Sequence, residues 1–433
     1  MTHPDDHHHL TSPRDGLPPL ADTPEAVAEV AAALADGTGP VAVDTERASG
    51  FRFDDRAWLV QLRRTGAGTH LVDPAQVPQF GSLLVPVMNS TPWILHAAHT
   101  DLPALTTLGW RAVRLHDTQI AGRLLGYGQI GLAGMLTELL GVTVAKDKGR
   151  EDWSARPLPR DMLTYAALDV ELLTELLDAA LSLLRSRGDA EGRDRIGWYD
   201  QECDRVLSDW SYPVSVGDWT RLRGIGAVRD PRGLELARRL TDIRTDVARR
   251  RDTPPERVVD SSTIIEMARS PYRAEDVLRQ RRHGRGSPRF SGELRSRLLA
   301  GVREALAVDA ASLPPRPVGR GGHPDHRTWA TDFPVADHLL TGFRTAVDDL
   351  AADLGLHPSE LMVSRSVRAV AWEVSLVLPV TGERKSATDL GSDPVGWAED
   401  LLGHHLGREG ARDWQIDLLV PVFLPTLAAE MPV

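Results

Sequence analysis

Hydrophobic positions keep one rhythm near the N-terminus of this chain and another toward its C-terminus. In the first part, short apolar runs such as Val41-Ala42-Val43 and Trp93-Ile94-Leu95 are separated by stretches with three- and four-residue spacing. That alternation predicts strands interleaved with helices, and hence a mixed central sheet with flanking helices. VAVDTERASGFRFDDRAWLVQLRR and THLVDP supply three early strands. Between Arg160 and Leu184, Met162, Leu163, Ala166, Ala167, Val170, Leu173 and Leu177 recur at helical steps and predict a helix. Farther on the pattern is helical: around Leu234 to Arg251, Ile264 to Arg269 and Ala274 to Gln280, then Leu339–Leu354, Ser366–Leu376 and Asp413–Ala429. Trp372 and Trp414 fall within apolar helical patterns, so they are expected in cores.

Breaks in the pattern divide the chain. A polar, disordered tail is expected over 1–20, an α/β domain over 21–205 and a connector over 206–228. A helical module follows over 229–307, and a Pro/Gly linker, SLPPRPVGRGGHPDHR, lies within 308–331. A second helical module spans 332–433. The fold class is therefore an α/β domain followed by two small all-α bundles.

Three short words carry acids. In VAVDTE, Asp44 and Glu46 lie two apart on a strand and share a face. Two acids beside an apolar run repel each other unless cations neutralise them; the plain alternative is a solvated strand end. In ILHAAHTD, Asp101 follows a strand and turn and precedes an apparent helix from Leu102 to Leu108, so Thr100 or Asp101 also fits a helix N-cap. In YAALD, Tyr165 and Asp169 are four apart and share a helix face, as would any surface Tyr–Asp pair.

Taken in order, a strand with DxE, a strand-turn-helix with Asp and a helix with YxxxD resemble the tyrosine-bearing branch of the DEDD exonucleases. HDTQIAGRLL, IGLAGMLTELLGV and DKGREDWSARPLPRDMLTYAALDVELL extend the likeness to the ribonuclease D family. Asp152-Trp153 and Arg156-Pro157-Leu158 are its most specific part. The resemblance implies a ribonuclease-H-like fold and a 3′-to-5′ exoribonuclease releasing nucleoside 5′-monophosphates from tRNA precursors or other structured RNA. It implies that Asp44, Glu46, Asp101 and Asp169 hold two Mg²⁺ or Mn²⁺ ions while Tyr165 orients the attacking water. Oxygen donors suit such hard cations. One departure stands out: Arg47-Ala48-Ser49 follow Glu46, where the family usually has an aromatic or other apolar residue. Two other readings remain open at this point: a catalytically weak scaffold that docks RNA or a helicase, and a DNA-directed 3′-5′ exonuclease.

Charge sharpens the role of the first helical module. The chain totals −11, yet Arg221 to Glu304 holds 21 Arg against 12 acids, or +9, leaving −20 elsewhere. A localised basic block predicts nucleic-acid binding, although with only three Lys in the chain Arg also serves ordinary surfaces. WTRLRGIG and DTPPERVVDSSTIIEMARS resemble the HRDC domain, and position and pattern make the last module similar to a second, diverged one. Asp260-Ser261-Ser262 offer caps for the helix that follows. Phosphate contacts are expected from Arg249, Arg250, Arg251, Arg281, Arg282 and Arg285, and from a loop holding Lys146, Lys148 and Arg150. His96 and His99 adjoin the second acid word and are read as structural.

Hydrophobic content of 42% is ample for several cores. No apolar run approaches the ~20 residues that span a bilayer. The polar N-terminus has no apolar signal core, and Cys203 is the lone cysteine. A cytoplasmic setting without disulfides is expected.

Overall fold

The computed structural model describes residues 8–144, 148–209, 217–280, 290–315, 323–378 and 393–431. At its centre, six strands lie in the spatial order Leu20–Ala21, Gly68–Val72, Ala57–Thr65, Thr38–Arg47, Trp93–Leu95 and Leu115–Asp117. The three long strands form an antiparallel meander, and the outer pairings are parallel. Val41, Ala42 and Val43 are buried, as an apolar run in a central strand should be.

Helix Arg160–Glu171 lies across the meander strands. The helix expected over Arg160 to Leu184 is broken at Leu172, and a second helix runs over Leu173–Glu191. The first packs on the sheet and the second on helices Thr118–Leu124, Leu132–Leu140 and Arg195–Asp209. Leu172 leaves helical geometry at φ −117 and ψ 10. Apolar spacing continues through the break because both helices bury that stripe, each against a different neighbour.

The tail expected to be disordered over 1–20 is placed from residue 8 onward. His8–Leu10 pairs with Val142–Val144, and Leu20–Ala21 joins the main sheet. Arg14 anchors the segment by donating to Glu171 at 2.8 Å and Glu175 at 2.6 Å. The Glu171 side chain is fully buried and also faces Arg63 at 3.3 Å. A buried carboxylate calls for such cations, and its partner stands 157 residues away, beyond the reach of local pattern.

The two helical modules differ in how they are built on. The first has a core of its own, with Leu234, Leu240, Ile264, Met267, Leu298 and Val302. Asp260 caps helix Ser261–Arg269 through the Thr263 N–H, as its sequence predicts. The second shares one continuous core with the α/β domain. Trp198 stacks on Trp414 at 4.8 Å, and buried Arg195 donates to the carbonyls of Leu124 and Leu354. Its longer helices are Pro334–Leu354, Ser364–Val377, Pro394–Arg408 and Asp413–Ala428. The third was not among the expected stretches. Gly396, Gly403 and Gly407 dilute its pattern, and Gly is a poor helix former. Trp372 and Trp414 are buried, as expected.

Candidate active site

Asp44 and Glu46 share one face of strand Thr38–Arg47, opposite Gln61 and Leu59 on the next strand. The register slips after Glu46, which faces Leu59 while Arg47 faces Ala57. Such a bulge re-aims the side chain that follows it. The Arg47 guanidinium donates to the Thr100 carbonyl at 2.6 Å and to Asp55 at 3.2 Å.

Asp169 arrives from the overlying helix. Ligand oxygens of Asp44, Glu46 and Asp169 all lie within 4.8 Å of one another. Asp101 stands beside this group rather than in it. It occupies the cap position of helix Leu102–Thr107 but makes no capping hydrogen bond. Instead its oxygens accept the hydroxyls of Thr45 at 2.5 Å and Thr100 at 2.7 Å. Sequence reading passed over Asp117, which holds the turn before Asp101 by accepting the N–H groups of Ala97 and Ala98. Ala97 is left-handed at φ 61, a conformation costly for a residue with a Cβ. His96 bonds the Thr118 hydroxyl at 2.9 Å, in keeping with a structural role.

Electrostatics mark the group out. The carboxyl of Asp44 is pushed well above the ordinary aspartate range, first by burial and then by Asp101, Asp169 and Glu46. Burial raises Asp101 too, opposed by Arg47 and the two threonine hydroxyls. Hard oxygen donors crowded this closely suit a divalent cation, which removes their mutual repulsion.

Tyr165 sits one turn before Asp169, its ring 6.4 Å from that of Trp153. The stretch leading into its helix is a latch. Arg156 grips Asp73 through two bonds of 2.7 Å and donates to the Trp58 and Trp153 carbonyls, tying the helix entrance to the sheet. The most specific motif in the sequence therefore fixes the entrance to the helix that carries Tyr165 and Asp169, while its own residues stay outside the acid group.

The expected basic contacts are not gathered in the same way. Lys146, Arg281, Arg282 and Arg285 lie outside the described residues. Lys148 donates to Asp161 at 3.0 Å, and Arg150 is exposed. Arg249 lies over the Phe53 ring at 5.2 Å, Arg250 pairs with Asp246 at 2.7 Å, and Arg251 is exposed. The same helix end presents Asp252 to Arg52 at 2.9 Å and to the Phe53 N–H at 3.2 Å. This basic end thus sits against the loop that follows the Asp44–Glu46 strand.

Residues 20–184 match a family described as 3'-5' exonuclease, 233–286 the HRDC domain, and 322–427 the 3' to 5' exonuclease C-terminal domain. Ribonuclease D of Acidiphilium cryptum is 31% identical over 313 residues, 71% of this chain and 76% of that one. The chain belongs to the ribonuclease D family. Ribonuclease D of Psychromonas ingrahamii is 26% identical over 374 residues, covering 86% of this chain and 95% of its own. A crystal structure of a protein from Bifidobacterium adolescentis matches with TM-score 0.77 and 30% identity, over 98% of this chain and 100% of that one. Escherichia coli RNase D, described as an exoribonuclease involved in structured RNA processing, shares the fold at TM-score 0.64 and 23% identity, over 91% and 99%. This ribonuclease D homologue is thus a 3′-5′ exonuclease in fold and family, and the fold implies a divalent metal cofactor. Among the described residues no helix is long and apolar enough to cross a membrane.

Proposed function

We propose that this protein is a metal-dependent exoribonuclease that shortens structured RNA, such as tRNA precursors, from the 3′ end and releases nucleoside 5′-monophosphates. The observation that carries the reading is the convergence of Asp44, Glu46 and Asp169 within 4.8 Å, with Asp101 beside them. In this reading the four acids hold two ions, Mg²⁺ or Mn²⁺. Such a pair, when bound, would supply Lewis acidity to the attacking water and the leaving 3′-oxygen. Tyr165 positions that water through its phenol hydroxyl. Arg47 holds the Thr100 carbonyl and so fixes the peptide that carries Asp101. The HRDC end at Arg249–Arg251 guides the RNA strand toward the rim by phosphate contacts. Buried Cys203 fits a reducing, cytoplasmic setting.

The test is incubation of purified protein with a 3′-tailed RNA in Mg²⁺ or Mn²⁺. Stepwise release of 5′-monophosphates is expected. No release in either metal sinks the reading and leaves an RNA-docking scaffold. Faster digestion of a matched DNA strand reassigns the substrate to DNA.

A further inference from the structure

Gln61 is completely buried in the strand that pairs with the Asp44 strand, and neither polar atom of its side-chain amide has a partner among the described residues. Opposed residues of an antiparallel pair point to the same face, with Cβ atoms about 5 Å apart. Gln61 is directly opposite Asp44, so it lies on the face covered by helix Arg160–Glu171, the face from which Asp169 meets the acids. Its neighbours on that face are Leu59, which is fully buried in the apolar layer beneath the helix, and Arg63, which faces Glu171 at 3.3 Å. An apolar side chain would fill the position. A buried amide with no partner is costly, and native proteins keep such groups where function needs them. Two tryptophans of the same layer, Trp58 and Trp153, also bury an unpartnered N–H. Their rings fill volume and carry one donor each, whereas the Gln amide has little to offer except its polarity.

We propose that Gln61 is a positioning residue of the acid site, its amide serving Asp44, the carboxylate directly opposite it. The NH₂ donates toward Asp44 and steadies that side chain for the cation, so the amide gains its partner when the site is loaded. This inference rests on the metal-site reading above but not on RNA being the substrate.

The experiment compares wild type with Gln61→Met, which keeps the volume and removes the amide. Melting temperature is measured without divalent ions, Mn²⁺ affinity by calorimetry without RNA, and kcat and KM on a short RNA. The metal-free variant is expected to melt at or above the wild-type temperature, because an unpartnered polar group has gone. Its Mn²⁺ affinity should fall by about 10- to 100-fold, the usual effect of losing a group behind a metal ligand. Its kcat should fall with KM nearly unchanged. Equal Mn²⁺ affinity and equal kcat in variant and wild type overturn the proposal. So does a lowered melting temperature with unchanged Mn²⁺ affinity, which would make the amide structural. If Gln61→Met does not fold, Gln61→Leu takes its place, and failure of both overturns the proposal as well. Absence of Mn²⁺ binding by the wild type instead overturns the metal reading beneath it, while Mn²⁺ binding without nuclease activity overturns only the assigned function.

Discussion

Charge singles out two regions of this ribonuclease D homologue, and the fold treats them in opposite ways. The acids Asp44, Glu46, Asp101 and Asp169 come from one strand, the start of one helix and the body of another, yet they are gathered in one largely buried place. The arginines of the HRDC block are close in sequence, but many meet acids of their own module. Arg238 and Arg239 share Glu235, Arg244 pairs with Glu256, Arg297 with Asp246, and Arg303 with Glu275. Net charge over a segment thus says little about function until the pairing is known. Four like charges held together against their repulsion define a site, whereas a basic stretch laced with ion pairs is largely an ordinary surface.

That contrast can be broken from either side. Asp169→Asn strikes hardest. It should lower single-turnover release of mononucleotide by at least about 1,000-fold, or about 4 kcal/mol in the transition state, while RNA binding in a filter assay stays close to wild type. Retained cleavage would remove Asp169 from the metal set. Tyr165→Phe comes next, with kcat down about 10- to 100-fold and KM little changed, since the acids persist.

A smaller effect is expected on stability. The folded chain holds the Asp44 proton more tightly than the unfolded chain does, because burial and the neighbouring acids raise its pKa above 3.8. Its contribution is therefore fully present below the unfolded value and is lost as pH rises through the raised folded value. In divalent-free buffer the melting temperature should fall over that range, Asp44→Asn should flatten the decline, and Mg²⁺ or Mn²⁺ should reverse it. A wild-type curve parallel to that of Asp44→Asn would count against crowding of the acids.

The smallest effect belongs to the basic end. Replacing Arg249, Arg250 and Arg251 with Ala should raise KM for long RNA only a few-fold. It should reduce the salt slope by about one phosphate contact rather than three, since Arg249 covers Phe53 and Arg250 faces Asp246. A loss of three contacts would show that these pairs open on binding.

Some of the architecture was legible from spacing alone. Asp44 with Glu46, and Tyr165 with Asp169, share faces because strand and helix repeats are local. The caps, strands and most helices of the later modules follow from the same short-range rules. What the sequence by itself determined was therefore the set of side chains and the element on which each one rides. The tertiary structure decided which of them meet. It turned the Asp101 side chain toward the other acids, with no capping hydrogen bond from its cap position, and drew Arg156 into a latch on Asp73. It broke one helical stripe at Leu172 so that two helices could bury it separately. It left the HRDC module with its own core and merged the last module into the core of the nuclease domain. Periodicity reports only which residues share a face. Convergence of charge and continuity of a core depend on contacts between residues far apart in the chain, and these form only when the elements pack.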